Sequence, residues 1–379
     1  MSELRQKILD EVKRVVIKVG SRVLVDSDRG GVRLDYIRRL AGSIAHLMNN
    51  GKEVVLVTSG AVGAGMAVLG YTKKPAVMAE KQACAAVGQI DLMHAYREEF
   101  RKLNIAAGQI LLSADDFRDR SRYKNLQNTF QVMLSKKIIP IVNENDSVAV
   151  SEIKVGDNDK LSSDVALFID ADLLLIFTDE DGLYDDNPKK NPNARLLHFV
   201  PKITPEIMAL AGAAGETGSA ISTGGMKSKL ESIRAAVNSG CSALLGNGFK
   251  VLPHEFFESE THGTFFAGNA KKIGSRHRWL SFVSTPRGAV VVDDGAVKAL
   301  REKHSSLLPV GIADVRKNFA RGDLIEVLDA SGNRLARGIS QYASSRLSLI
   351  QGKKTAEVRT ILGKETPEEV IHKNDLVLF

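Results

Sequence analysis

Val15-Val16-Ile17-Lys18-Val19-Gly20-Ser21 is an apolar run that carries one lysine and ends on glycine. Its β-branched residues suit a strand covered on both faces, because a half-exposed strand would alternate apolar with polar positions. A lysine inside such a strand is costly unless an anion compensates it. Two readings of Lys18 stand: an anion-binding group at the strand's carboxyl end, or a lysine emerging at a sheet edge. Gly20 would let the backbone approach a ligand closely.

Outward from this strand, the first two-thirds of the chain alternates strand with helix. Leu34–Met48 reads as an amphipathic helix: Leu34, Ile37, Leu40, Ala41, Ile44, Leu47 and Met48 recur at i, i+3, i+4 spacing before Gly51. Val54–Val57 is the next strand, and a long helix covers roughly Ala79–Lys102. Strands follow near Ile110–Leu112, Ile138–Val142 and Leu173–Phe177, then the helix Lys227–Asn238 and a last strand Ala243–Leu245. Alternation of this kind predicts an α/β fold, a three-layer sandwich with a mainly parallel sheet between helices.

Beyond about residue 265 the texture changes. Short β-type runs, Ala289–Val292, Leu324–Leu328 and Leu376–Phe379, are punctuated by turns, with one helix at Gly295–Lys303. They predict a small, mainly-β, barrel-like module. The division is 1–265 for the α/β domain, 266–283 for a basic linker and 284–379 for the second domain.

The 379 residues are 44% apolar and 26% charged, enough to bury an ordinary core in two domains. Cys84 and Cys241 form no CxxC pair, which argues against a disulfide framework and fits a reducing compartment. Met1–Lys13 lacks the apolar stretch of a signal peptide. The longest apolar run, Val165–Phe177, is interrupted by Asp170 and Asp172 and is too short and acidic to span a membrane. A cytoplasmic location is expected. The formal charge of +7 is uneven: Lys271, Lys272, Arg276 and Arg278 stand in 266–283 without an acid, 284–379 holds 15 basic against 12 acidic residues, and 1–265 is neutral. The surplus reads either as solvated surface or as contact with RNA or another acidic partner.

In a parallel α/β sheet, ligands bind beyond the carboxyl ends of the strands. After the second strand comes Thr58-Ser59-Gly60-Ala61-Val62-Gly63-Ala64-Gly65. Its glycines read either as freeing N–H groups for an anion at a helix start or as a tight, closely packed turn. The spacing is neither GxGxxG nor a P-loop. Asn143-Glu144-Asn145-Asp146 and Gly156-Asp157-Asn158-Asp159-Lys160 read singly as helix-capping Asx turns. Together they could hold an amino acid, carboxylates on its ammonium and amides on its carboxylate. Thr178-Asp179 sits where a nucleotide could lie. Thr223-Gly224-Gly225-Met226-Lys227-Ser228-Lys229 opens a helix with two lysines in its first turn, where cations are unfavourable unless an anion is present.

VVIKVGS, VTSGAVGAG, PIVNENDSVA, EIKVGDNDKLS, TDEDGLY and TGGMKSKL, in this order and at these spacings, resemble the amino acid kinase family. The tail resembles a PUA domain through Asp293–Ala296, Ser305–Pro309 and Phe319–Asp323. The resemblance spans essentially the whole chain and departs at Ser222, where glycine is expected, and at Ser228, where threonine is expected but a hydroxyl is kept. It implies transfer of the γ-phosphoryl group of ATP to the side-chain carboxylate of free L-glutamate, the first step of proline biosynthesis. Lys18 and Lys229 would neutralise the phosphoryl group, and Asp159 would orient both lysines. Ser59, Asp146 and Asn158 would hold glutamate, with Gly60 and Asn143 nearby. Lys18, Thr178, Asp179, Thr223, Gly224, Gly225, Met226, Lys227, Ser228 and Lys229 would hold ATP. It further implies a homo-oligomer of two or four chains, feedback inhibition by proline, and a glutamyl phosphate reductase that takes up the product.

The chemistry suits this set. A carboxylate with a pKa near ~4.3 is already a nucleophile at neutral pH, so no general base is needed. All eight histidines lie outside the motifs. The transferring group needs positioning and positive charge. No protein-only metal site is visible, and Mg²⁺ would arrive with the ATP phosphates. The competing readings are a same-fold kinase for another small acceptor (acetylglutamate, aspartate, carbamate or a nucleotide), an RNA-binding protein acting through its tail, and a catalytically dead regulatory scaffold.

Overall fold

The computed structural model describes residues 2–26, 31–148, 158–188, 190–213, 225–269, 286–303, 305–363 and 365–379. Two compact units divide the chain, Met1–Lys272 and Ile273–Phe379. The basic residues Lys271–Arg278 lie outside the described residues.

In the first unit the strands are β1 (Arg14–Val19), β2 (Glu53–Val57), β3 (Ala107–Leu112), β4 (Ile139–Glu144), β5 (Leu173–Thr178), β6 (Phe199–Val200), β7 (Ser242–Asn247) and β8 (Thr264–Phe266). They form one sheet in the order β3-β4-β2-β1-β5-β7-β8-β6. The pairs from β3 through to β7 are parallel, and β8 runs antiparallel to β7. The apolar run around Lys18 is therefore the central strand β1, held between β2 and β5. Val15, Val16, Ile17 and Val19 are fully buried, and burying each contributes about 1.5–3 kcal/mol.

Alternation along β1 sorts its side chains between two layers. Val15, Ile17 and Val19 join a core built with Ile37, Leu40 and Ile44 of helix Leu34–Asn49 and Leu92 and Tyr96 of helix Met78–Lys102. Val16 and Lys18 face the other way, where helices Asn158–Phe168 and Met226–Asn238 pack against each other and the first of them lies on β1. Ala243–Leu245 is not the last strand of this unit: β8 follows it, and β6 and β8 close the sheet with an antiparallel edge.

The second unit holds β9 (Gly288–Val292), β10 (Ile312–Arg316), β11 (Leu324–Leu328), β12 (Arg334–Ile339) and β13 (Leu376–Leu378) in the order β10-β9-β11-β12-β13. Only β9 and β11 pair in parallel. Its core contains Val290, Leu300, Ile325, Val327, Leu347 and Val370. The helix expected at Gly295–Lys303 spans Asp294–Lys303, and it has company: Ser344–Ile350 and Thr355–Leu362 are also helical.

Candidate active site

Parallel pairing in register brings the carboxyl ends of β1, β2, β4, β5 and β7 to one edge of the sheet. Along that edge stand Lys18 and Gly20, Thr58 and Ser59, Asn143, Thr178 and Asp179, and Asn247. Gly20 donates its backbone N–H to Phe177 O at 3.2 Å. A Cβ on Gly20 would come within 3.3 Å of that same oxygen and 3.7 Å of Lys18 Nζ, so glycine keeps the backbone close to the lysine's end.

Lys18 does not emerge at a sheet edge. It is 6% exposed in the central strand, and its Nζ lies 2.5 Å from Asp159 Oδ1. Lys229 Nζ approaches the other oxygen, Asp159 Oδ2, at 3.3 Å. Asp159 is 2% exposed and Lys229 8%. Helix Asn158–Phe168 supplies the carboxylate from its first turn and helix Met226–Asn238 supplies Lys229 from its own, so the packing of the two helices sets the trio. Burial pushes the Asp159 carboxyl up, but Lys18 and Lys229 outweigh burial and hold it below the ordinary carboxylate range. These three groups sum to one formal positive charge in a shielded place, an environment that favours an anion. Of the two lysines at that helix start, Lys227 is exposed and Lys229 points inward.

A chain of amides runs away from this trio. Asn158, next to Asp159, donates through Nδ2 to Ser59 Oγ at 3.0 Å and to Asn143 Oδ1 at 3.2 Å. Asn143 Nδ2 in turn donates to Gln89 Oε1 at 2.8 Å. Asn158 Oδ1, Gln89 Nε2 and Asp146 Oδ1 are shielded from solvent and lack a partner among the described residues. Buried polar atoms are nearly always paired in folded proteins, so three such atoms in one region mark a place for a polar ligand. Burial, then repulsion from Glu144, pushes the Asp146 carboxyl up to about 7, with Lys74 pulling it back.

Thr178 Oγ1 donates to Asp179 Oδ1 at 3.0 Å, and Arg22 forms an ion pair with Asp179 Oδ2. Arg22 and Gln89 are the two participants that the sequence alone does not reveal. Asp181 belongs to the frame: it accepts from Asn247 Nδ2 at 2.8 Å and from Lys250 Nζ at 2.8 Å, tying the turn after β5 to the end of β7. Gly225 caps the helix that carries Met226, Lys227, Ser228 and Lys229. Thr223 and Gly224 lie outside the described residues, as do Gly156 and Asp157.

The glycine-rich turn after β2 divides between its two readings. Gly60 caps helix Ala61–Val68 at φ 98°, a left-handed conformation that side chains resist. Gly65 serves packing instead: a Cβ there would meet Cys84 O at 1.8 Å. The matching Cβ on Gly88 would meet Ala61 O at 2.0 Å. The two helices thus cross backbone on backbone, and this crossing seats Gln89 against Asn143.

Residues 13–247 match the amino acid kinase family and residues 288–362 match the PUA domain. The glutamate 5-kinase of Geobacter sp. (strain M21) is 43% identical over 378 residues, covering 99% of this chain and all of its own. That of Syntrophotalea carbinolica is 42% identical over 377 residues with the same coverage. Among solved structures, carbamate kinase from Giardia lamblia bound to AMP-PNP has a TM-score of 0.48 at 16% identity, covering 68% of this chain and 99% of that one. The chain belongs to the amino acid kinase family and carries a PUA domain C-terminal to its kinase domain in sequence.

Proposed function

We propose that the protein transfers the γ-phosphoryl group of ATP to the side-chain carboxylate of free L-glutamate, yielding L-glutamyl 5-phosphate for proline biosynthesis. The observation that carries the reading is the buried Lys18–Asp159–Lys229 trio beside a set of unpaired amide and carboxylate atoms. Similarity to glutamate 5-kinases over 99% of the chain, at 42–43% identity, supports this acceptor.

In this reading the glutamate carboxylate attacks unaided, because it is ionised at neutral pH. Lys18 and Lys229 stabilise the charge that spreads over the equatorial oxygens of the moving phosphoryl group, while Asp159 keeps both ammonium groups on station. Ser59, Gly60, Asn143 and Asn158 position glutamate, and Asp146 receives its ammonium group. Thr178, Asp179 and the 223–229 segment hold the nucleotide, Lys227 from an exposed position at the helix start. Both Asp159 oxygens face lysines, and no group of three His, Cys, Asp or Glu side chains among the described residues is arranged to hold a metal ion. In this reading Mg²⁺ would arrive with the ATP phosphates and supply further positive charge there.

The test is hydroxamate formation from glutamate, ATP, Mg²⁺ and hydroxylamine. We expect glutamate to be turned over well ahead of acetylglutamate, aspartate and carbamate. Absence of hydroxamate with glutamate, or a better rate with another acceptor, defeats the reading.

Asp146 adds a pH signature. An acid whose folded pKa is raised binds its proton more tightly when folded, so its contribution to stability is complete below its unfolded pKa. That contribution is lost as pH rises through about 7. An ammonium group favours the ionised form, so glutamate binding should expel the proton. We expect the glutamate KM to fall as pH is raised from roughly 6 to 8 while kcat changes little. Asp146→Ala should raise KM about tenfold or more and flatten this dependence. A KM that is unmoved by the substitution removes Asp146 from the ammonium site.

A cytoplasmic location accords with Cys84 and Cys241 being buried free thiols. No helix among the described residues is long and apolar enough to cross a membrane. Assembly into dimers or tetramers, inhibition by proline and uptake of the product by a glutamyl phosphate reductase rest on the family resemblance. RNA binding by the PUA domain rests on that resemblance together with the positive charge of the linker.

A further inference from the structure

The chain of amides ends on a donor, and its direction is determined from the opposite end. The backbone N–H of Glu144 donates to Asn143 Oδ1 at 2.9 Å, so the oxygen and nitrogen of that amide cannot be exchanged. Asn143 must therefore present Nδ2 to Gln89, and Gln89 must answer with Oε1. Gln89 Nε2 is left pointing onward, shielded from solvent and without an acceptor among the described residues. Gln89 itself is 9% exposed, and the neighbouring Gly88 locks its helix against the turn after β2. The donor is thus held in place rather than free to swing toward water.

The order of contacts says what the donor is for. Asn158 adjoins Asp159 and the two lysines, while Gln89 lies two hydrogen bonds further from them, beyond Asn143. A molecule with its reacting carboxylate at the lysines directs its other end toward Gln89. Toward that end, Asp146 Oδ1 is an unpaired acceptor and Gln89 Nε2 an unpaired donor, while Asn158 Oδ1, a second unpaired acceptor, stands nearer the lysines. Acceptors suit an ammonium group, and a donor suits a carboxylate.

We propose that Gln89 is a further acceptor-binding residue, which selects for an acceptor carrying an α-carboxylate by donating a hydrogen bond to it from Nε2. The proposal rests on the reading of the acceptor as free glutamate. A site built to hydrogen-bond one group of its substrate rejects an analogue that leaves its polar atoms unpaired. Gln89 therefore sets the discrimination between glutamate and 4-aminobutanoate, which keeps the reacting carboxylate and the ammonium group but has no α-carboxylate to accept from Nε2.

Two variants test it. Gln89→Glu keeps an oxygen for Asn143 and replaces the donor with a carboxylate oxygen. Gln89→Met removes the donor without adding charge. Thermal unfolding shows which of them folds, and either one suffices. Hydroxamate formation is measured at roughly pH 8, where an ordinary carboxyl is ionised, with glutamate and with 4-aminobutanoate. For the folded variant we expect the glutamate KM to rise at least ~10-fold, as for losing one hydrogen bond to a charged group. We expect the ATP KM to stay put and the preference for glutamate over 4-aminobutanoate to fall by a similar factor. Equal KM changes for both acceptors, or an unchanged glutamate KM, overturn the proposal. A wild-type protein that makes no product from glutamate defeats the acceptor reading instead, so the two failures are told apart.

Discussion

Lys18→Ala lowers kcat at least ~100-fold, and Lys229→Ala does the same, the size expected for losing one partner of transition-state charge. The expectation follows from what the reaction lacks. The nucleophile is already ionised, so no proton transfer shares the work, and catalysis rests on placing positive charge around the moving phosphoryl group. Both lysines are buried and share one carboxylate, which restricts where each ammonium group can go. The variants should fold, because removing one lysine leaves Asp159 paired with the other. Lys→Arg should not rescue activity, since a planar fork cannot replace a compact ammonium in a closed site. The shared carboxylate also couples the two positions, so the double variant should lose less than the product of the single losses. Initial rates at saturating glutamate and ATP, with the thermal midpoint as a folding control, check this. Near-normal turnover in both single variants removes the mechanism.

Much of this site is legible in the chain because parallel sheets gather ligands at the ends of their strands, and strand ends can be read. Val15–Val19 and Leu34–Met48 lie within a residue of β1 and of helix Leu34–Asn49, because long runs of one periodicity leave little doubt about the period. Phe199–Val200 and Thr264–Phe266 contain too few residues to show any period, so the antiparallel edge was not readable. In the tail, Ser344–Ile350 and Thr355–Leu362 are two-turn helices whose formation depends on packing more than on local pattern. Lys18 illustrates the remaining gap. Its oddity is visible in the sequence, but that it lies in the central strand and not at a sheet edge depends on which strands flank β1. The Arg22–Asp179 pair joins residues 157 apart in sequence, and Gln89 sits inside a long helix with no motif around it. Its chemistry depends on how that helix crosses its neighbour.

That crossing carries the largest stability effect we expect. Gly88→Ala should destabilise the kinase domain by an amount at the upper end of the ~1–3 kcal/mol range for overpacking, and Gly88→Val by more. The reason is the nature of the neighbours. A Cβ on Gly88 would lie 2.0 Å from Ala61 O, 2.2 Å from Gly65 N and 2.9 Å from Gly65 Cα, all backbone atoms. The mirror contact, Gly65 against Cys84 O at 1.8 Å, is backbone too. No rotamer can relieve either clash, so the helices Ala61–Val68 and Met78–Lys102 must separate. Separation carries Gln89 away from Asn143 and shifts the turn that holds Ser59 and Gly60, so the glutamate KM should rise along with the loss of stability. Gly42 provides the contrast. It lies inside helix Leu34–Asn49, and a Cβ there would meet nothing within 4 Å. Gly42→Ala should therefore stabilise by about 0.5–1 kcal/mol through helix propensity alone and leave KM unchanged. Thermal unfolding and glutamate titration of the two alanine variants, side by side, separate a packing glycine from an incidental one. If Gly88→Ala matches the wild type in midpoint and KM, the two helices do not need their backbones in contact, and the placement of Gln89 must come from elsewhere.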